Sequence, residues 1–283
     1  MRVQSLSIQG SGVWNEDAVI QNDVQRIYGV IDGATSLVPF RGPKGETGGR
    51  LASELLKRFF EQVPADDTRD LEQLTREANR MLGLEMQSNG IPLDEKDQLW
   101  TAGLAVVRIT DHYVEYVQSG DCMIMGAYTD GAVRMVTKDH VAHIDSESKQ
   151  IWKEAIGSGV RSKDKLWEMV KPRILKNKEK MNTPQGYSVL NGRSDAELFI
   201  EYGKINRIRL EELLLHTDGL YYPEGLMEEL QSPEEALFRQ MKTSGLTDYA
   251  QWLVNLENSD PECIEYPRFK ISDDKSAVWI ELD

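Results

Sequence analysis

The sequence predicts an α+β protein in which two β-sheets pack together with helices outside them. Two observations carry this expectation. Strand-like runs and helical patterns come in blocks: strands, two helices, strands again, then two more helices. The 283-residue chain is also 40% hydrophobic, enough for a sizeable core, and shows neither an internal repeat nor a low-complexity linker. One domain over 1–283 is expected, with a helical insert at about 140–183.

Val3 to Ile8 alternates apolar and polar residues, the pattern of a half-buried strand. A shorter apolar run, Arg26 to Ile31, ends at Asp32-Gly33. A glycine-rich stretch from Arg41 to Gly49 leads into a helix with Leu51, Leu55, Leu56, Phe59, Phe60 and Val63 on one face. Pro64 and Asp66-Asp67 break the chain. Thr68 is the expected N-cap of a second helix carrying Leu71, Leu74, Ala78, Met81 and Leu82. Trp100–Ile109, Tyr113–Gln118, Met123–Tyr128 and Ala132–Val136 read as a four-strand antiparallel meander, with Thr129-Asp130-Gly131 as a hairpin turn. The stretch from His140 to Thr183 is helical, polar and locally basic, and Trp152 and Trp167 are expected to pack it onto the body. Strands are expected again at Tyr187–Leu190, Glu197–Ile200, Ile205–Ile208 and Leu213–His216. Helices follow at Pro233–Met241 and Thr247–Leu256, and a last strand at Ala277–Leu282.

Acidic residues number 47 against 33 Lys and Arg, a formal charge of −14. That balance argues against a generic nucleic-acid binder. The N-terminal residues lack the long apolar segment of a signal peptide and no run is long enough for a membrane helix, so a cytoplasmic protein without membrane association is expected. Cys122 and Cys263 have no metal-ligand spacing, and Cys122 reads as a small buried residue.

Five acidic knots punctuate the chain where strand-like runs begin or end: Asn15-Glu16-Asp17, Asp32-Gly33, Gly120-Asp121, Asp218-Gly219 and Asp273-Asp274. Each alone has a plain alternative. Asp32-Gly33 and Asp121 could be turns, Glu16-Asp17 a solvated strand end, and Asp273-Asp274 a charged cap on the last strand. Together they fit one site, because gathered carboxylates repel each other and lose hydration unless cations lie between them. Hard divalent ions such as Mn or Mg prefer this all-oxygen shell. Two ions about 3.5–4 Å apart, with Asp32 bridging them, would activate water for in-line attack on a phosphate ester. Other motifs are missing. The glycine-rich stretch has no Gly-Lys-Ser/Thr of a P-loop, and the four histidines lack zinc spacing; His140 and His143 read as a solvated helix start.

The ordered series Asn15-Glu16-Asp17-Ala18, Val30-Ile31-Asp32-Gly33, Ser119-Gly120-Asp121, Thr137-Lys138-Asp139-His140, Thr217-Asp218-Gly219-Leu220 and Asp273-Asp274-Lys275-Ser276 resembles the metal-dependent protein phosphatases of the type 2C family, bacterial members above all. The resemblance implies a four-layer α-β-β-α sandwich of two antiparallel sheets flanked by helices, with the metal site at one end. It implies that Asp32 and the Gly33 carbonyl, with Asp218 and Asp273, hold two Mn or Mg ions, and that these aspartates are the catalytic set. Glu16 would act through water with Asp17 in support, and Asp121 would serve a third ion. The insert falls where the family carries a mobile flap. A phosphorylated protein is the implied partner; the oligomeric state is not implied. The family often has an arginine four residues before the glutamate to hold the substrate phosphate. Here that position is Gly12, and Arg41, Lys44 or Arg50 would have to supply the charge. The histidine that some members carry after Asp-Gly is Ala34 here. Two other readings stay open: a catalytically weak relative acting as a regulatory binding module, and a phosphatase of small phosphomonoesters.

Overall fold

The computed structural model describes every residue except 35, 37, 224–225 and 227–232. One sheet contains β2 (Asp17–Asn22), β3 (Ile27–Ala34), β4 (Thr101–Ile109), β5 (Tyr113–Ser119) and β8 (Glu201–Asn206), in that order. The other has the order β1 (Arg2–Ile8), β10 (Lys275–Glu281), β9 (Leu210–His216), β6 (Met123–Tyr128), β7 (Val133–Met135). Every neighbouring pair is antiparallel.

Three apolar layers hold the sandwich, and alternation along the strands decides which side chain serves which layer. On β9, Leu213 and Leu215 meet Val30, Val107, Ile124, Val278 and Ile280 between the sheets. Leu214 faces the other way, with Ala277 and Trp279, onto α5 (Pro233–Ser244) and α6 (Leu246–Ser259) through Phe238, Met241, Tyr249 and Leu253. On the opposite flank, Ile31, Leu104 and Val106 pack against Leu55, Leu56 and Phe60 of α1 (Gly48–Glu61) and Leu71, Leu74 and Leu82 of α2 (Leu71–Ser88). Strands buried on both faces explain why Leu213–Leu215 reads as a continuous apolar run. The expected α-β-β-α sandwich is the observed fold.

Local departures from expectation have physical reasons. Asp70, not Thr68, caps α2: its carboxylate accepts from Gln73 N while the Gln73 side chain accepts from Asp70 N, satisfying two orphan donors at once. The four-strand meander is split. β4 and β5 stay in one sheet, while β6 and β7 belong to the other, because the Gly120-Asp121-Cys122 turn, with Gly120 at φ +81°, carries the chain across. Tyr187–Leu190 makes only isolated bridges, Leu190 to Ala102 and Tyr187 to Met181. Glu197 lies in a short 3-10 turn and pairs with Arg76 and Arg80 of α2. The strand expected at Ile205–Ile208 ends at Asn206, where the chain turns into β9. The Asp130-Gly131 hairpin is as expected, with Gly131 at φ +84° and its N–H donating to Tyr128 O.

The insert forms the helical pair α3 (Ala142–Gly157) and α4 (Lys163–Lys178). Trp152, Leu166 and Val170 close around Cys263 and Phe269. Trp152 Nε1 donates to Cys263 O at 2.9 Å, and both Trp152 and Trp167 pack edge-on against Phe269. The two tryptophans thus fasten the insert to the loop that precedes β10.

Candidate functional site

Asp17 on β2 stands opposite Asp32 on β3 in direct register. Two residues along each strand, Val19 and Val30 face the layer between the sheets, so both carboxylates share that face at its open end. Asp121 sits in the turn that crosses between the sheets. Asp218 follows β9 and Asp273 precedes β10, neighbours in the second sheet. The fold therefore brings these five aspartates to one end of the sandwich.

The surroundings hold them in place. Thr217 donates its hydroxyl to Asp17 Oδ2 at 2.8 Å and accepts from Ser276 N at 3.0 Å. Asp274 is a bracket, accepting from Gly10 N and Glu16 N at 2.7 Å each. Thr47, the N-cap of α1, donates its hydroxyl to Glu16 Oε1. Gly33 donates its N–H to Glu16 O at 3.1 Å, and a Cβ there would lie 2.2 Å from Gly49 O. Only glycine lets the start of α1 abut the end of β3.

The electrostatics follow from this crowding. Burial first, then mutual repulsion, pushes the carboxyl groups of Asp17, Asp32 and Asp121 well above the usual range, the Thr217 hydrogen bond opposing this at Asp17. Asp218 is raised by burial and by Asp273, and is relieved chiefly by Lys270. Lys270 Nζ lies 2.5 Å from Asp273 Oδ1.

Two clefts of ≈ 580 Å³ each open at this end and share Asp121, Asp145, Asp218, Phe269, Lys270 and Asp273. The insert walls both. One runs under Ile144, Trp167 and Lys178, the other past Lys149 and Tyr221. Neither cleft is bordered by Arg41, Lys44 or Arg50. Arg50 is spent on Asn15 O at 3.0 Å and Glu54 at 2.9 Å, Arg41 donates to the carbonyl of Phe40, and Lys44 is exposed.

Some site residues were not legible beforehand. Asp145 in the first turn of α3 hangs over the aspartates; burial raises it to about 6, with Lys149 pulling down and Asp218 pushing up. In sequence it is one acid in a polar insert. Tyr221 donates its hydroxyl to Asp121 O at 2.8 Å and also meets Asp139. His140 is not a solvated helix start: Nδ1 lies 2.7 Å from Ser188 Oγ and Nε2 3.1 Å from Glu201, pinning the first residues of the insert to the chain that follows it.

Among the described residues, no three His, Cys, Asp or Glu side chains close tightly enough on one point to hold an ion. Asp32, Asp121, Asp218 and Asp273 line one cleft without closing on a single point. Three observations nevertheless fit divalent cations. The donors are hard oxygens. Asp218 Oδ1 is buried without a partner among the described residues. An ammonium, that of Lys270, already stands on Asp273 as a cation would.

A family model described as Protein phosphatase 2C matches residues 7–256. No curated protein matches the chain. Among solved structures, the Mycobacterium tuberculosis serine/threonine phosphatase PstP/Ppp aligns with a TM-score of 0.59 at 17% identity, over 100% of this chain and 98% of its own. The catalytic domain of PstP in complex with two manganese ions aligns at 0.56 and 18%, over 99% and 97%. Phosphatase Stp1 from Staphylococcus aureus aligns at 0.56 and 14%, over 99% and 94%. At these identities the likeness concerns the fold.

Proposed function

The chain belongs to the protein phosphatase 2C family, and from that premise we propose that it hydrolyses phosphoserine and phosphothreonine in proteins, using Mn or Mg held by the strand-end carboxylates. The observation that carries the proposal is the convergence of Asp17, Asp32, Asp121, Asp218 and Asp273 from separate strand ends onto one end of the sandwich, all but Asp17 lining one cleft, at an electrostatic cost that bound cations would offset. In this reading Asp32, the Gly33 carbonyl, Asp218 and Asp273 would hold two ions, Glu16 would act through water with Asp17 behind it, and Asp121 would serve a third. The ions, when bound, supply Lewis acidity to water and to the phosphoryl oxygens. The chain's own part is to fix the donors. The register of β2 and β3 sets Asp17 against Asp32, Thr217 orients Asp17, and Asp274 ties the backbone of Glu16 to the loop before β10.

Lys163, Lys178, Lys149 and Lys153 border the clefts, and a phosphorylated, acidic segment of a protein suits such walls better than a neutral one. Among the described residues no helix is long and apolar enough to cross a membrane. Gly12 at the family's arginine position favours a second reading, a weakly active or inactive relative that binds a partner. A third reading keeps the chemistry and takes a small phosphomonoester as substrate.

The deciding experiment is hydrolysis of a phosphoserine peptide and of a chromogenic aryl phosphate with Mn, with Mg and with excess chelator, beside Asp218→Asn. Metal-dependent turnover lost in the variant supports the phosphatase, and the ratio of the two rates separates protein from small-ester substrates. Turnover that survives the chelator would refute it. No turnover alongside saturable partner binding would favour the regulatory module.

A further inference from the structure

Among the described residues, Lys270 is the one lysine or arginine that borders both clefts. It stands in the loop before β10, beside the Phe269 ring on which the insert packs. Its ammonium rests on Asp273 at 2.5 Å, within the fields of Asp32 and Asp218. The side chain is nevertheless 54% exposed, so its four-carbon stem has room to swing into the cleft. The glycine-rich loop offers no rival, since Arg50 is engaged elsewhere and Arg41 and Lys44 border neither cleft. Of the other cleft lysines, Lys163 lies at 3.9 Å from Asp164 at the insert's edge.

Beside the ions, a phosphomonoester dianion is held by a side-chain cation that stands close to the carboxylates rather than at the rim, and Lys270 stands there. We propose that Lys270 is the phosphate-holding residue of this site: its ammonium leaves Asp273 and donates to a non-bridging phosphoryl oxygen of the substrate. The position vacated at Gly12 is thereby served from the opposite end of the chain. The assignment deepens the phosphatase reading and shares its site, but phosphate binding can be measured without turnover.

The test uses inorganic phosphate as probe, titrated calorimetrically into Mn-equilibrated wild type, Lys270→Met and Lys270→Arg, with KM and kcat for an aryl phosphate measured beside it. Loss of one charge-assisted hydrogen bond predicts phosphate binding weakened by roughly 10- to 100-fold in Lys270→Met. KM should rise in parallel with kcat changed far less, as for lost ground-state binding. Lys270→Arg should keep most of the affinity, and Mn affinity should hold or tighten in Lys270→Met, since a competing cation has left Asp273. Unchanged phosphate affinity and KM in Lys270→Met overturn the assignment, as does a fall in Mn affinity as large as the fall in phosphate affinity. Wild type that binds no phosphate with Mn present overturns it too. Wild type that binds phosphate through Lys270 yet hydrolyses nothing would sink the phosphatase reading and leave the assignment standing.

Discussion

Replacing Asp32 by asparagine should stabilise the metal-free protein while removing its response to Mn. Asp17 and Asp32 face each other in register, which sets their Cβ atoms ~4.5–5.5 Å apart. Two full charges ~5 Å apart at an effective dielectric constant of about 20 repel by ~3 kcal/mol. Protonation relieves part of this, because both carboxyls are raised in the fold. A net gain of ~1–3 kcal/mol for Asp32→Asn remains, or ~2–5 °C in Tm for a chain of this size. The sign with pH follows from linkage. A carboxyl raised in the folded state favours folding below its unfolded value of about 4, and that advantage is lost as pH rises through the raised value. The variant should therefore melt above wild type at pH 8 and level with it near pH 4. Differential scanning calorimetry in excess chelator at the two pH values measures this. Adding millimolar Mn at pH 8 should then raise the wild-type Tm and leave the variant nearly unmoved. An Asp32→Asn variant less stable than wild type at pH 8 in chelator would show that the carboxylates are not in repulsive contact, and the argument for a cation site would lose its physical basis.

Gly33→Ala should cost ~1–3 kcal/mol in urea unfolding and weaken Mn binding, because its Cβ would meet Gly49 O at 2.2 Å and drive α1 from the end of β3; full stability in the variant would contradict this. Lys275 is fully buried, and its ammonium donates to Glu257 at 2.7 Å and to the Asp273 carbonyl at 2.9 Å. Lys275→Met should cost ~3–5 kcal/mol by leaving Glu257 buried and unpaired, and a double variant with Glu257→Leu should recover much of the loss, as a double-mutant cycle would report. Trp152→Ala should cost ~3–5 kcal/mol of packing concentrated in the insert, so limited proteolysis should cut α3 or α4 before either sheet opens.

Much of the fold could be read from the sequence because its strands are buried on both faces. Runs such as Leu213–Leu215 and Ala277–Ile280 announce themselves by composition alone. Sheet membership could not be read. The Gly120-Asp121-Cys122 turn looks like any tight connection, and only the folded chain shows that it crosses between sheets and so delivers Asp121 to the cleft. Tyr187–Leu190 has strand composition but runs along the end of the sheets, where Ser188 and Val189 line a cleft. The acidic knots were legible because carboxylates at several strand ends form a pattern. Asp145 and Lys270 were not, since each is a single charged residue whose meaning lies in the insert folding back over the sheet ends. The part of the Thr217 hydroxyl is equally invisible in the sequence, because its partner Asp17 lies 200 residues away.

The most direct test of the central claim, that these strand ends are gathered to hold divalent ions, is calorimetric titration of Mn into metal-free wild type and Asp218→Asn. Wild type should bind two ions, and the variant, whose buried Oδ1 loses its charge, should bind fewer and more weakly. No Mn uptake by wild type, or equal uptake by both proteins, would contradict that claim.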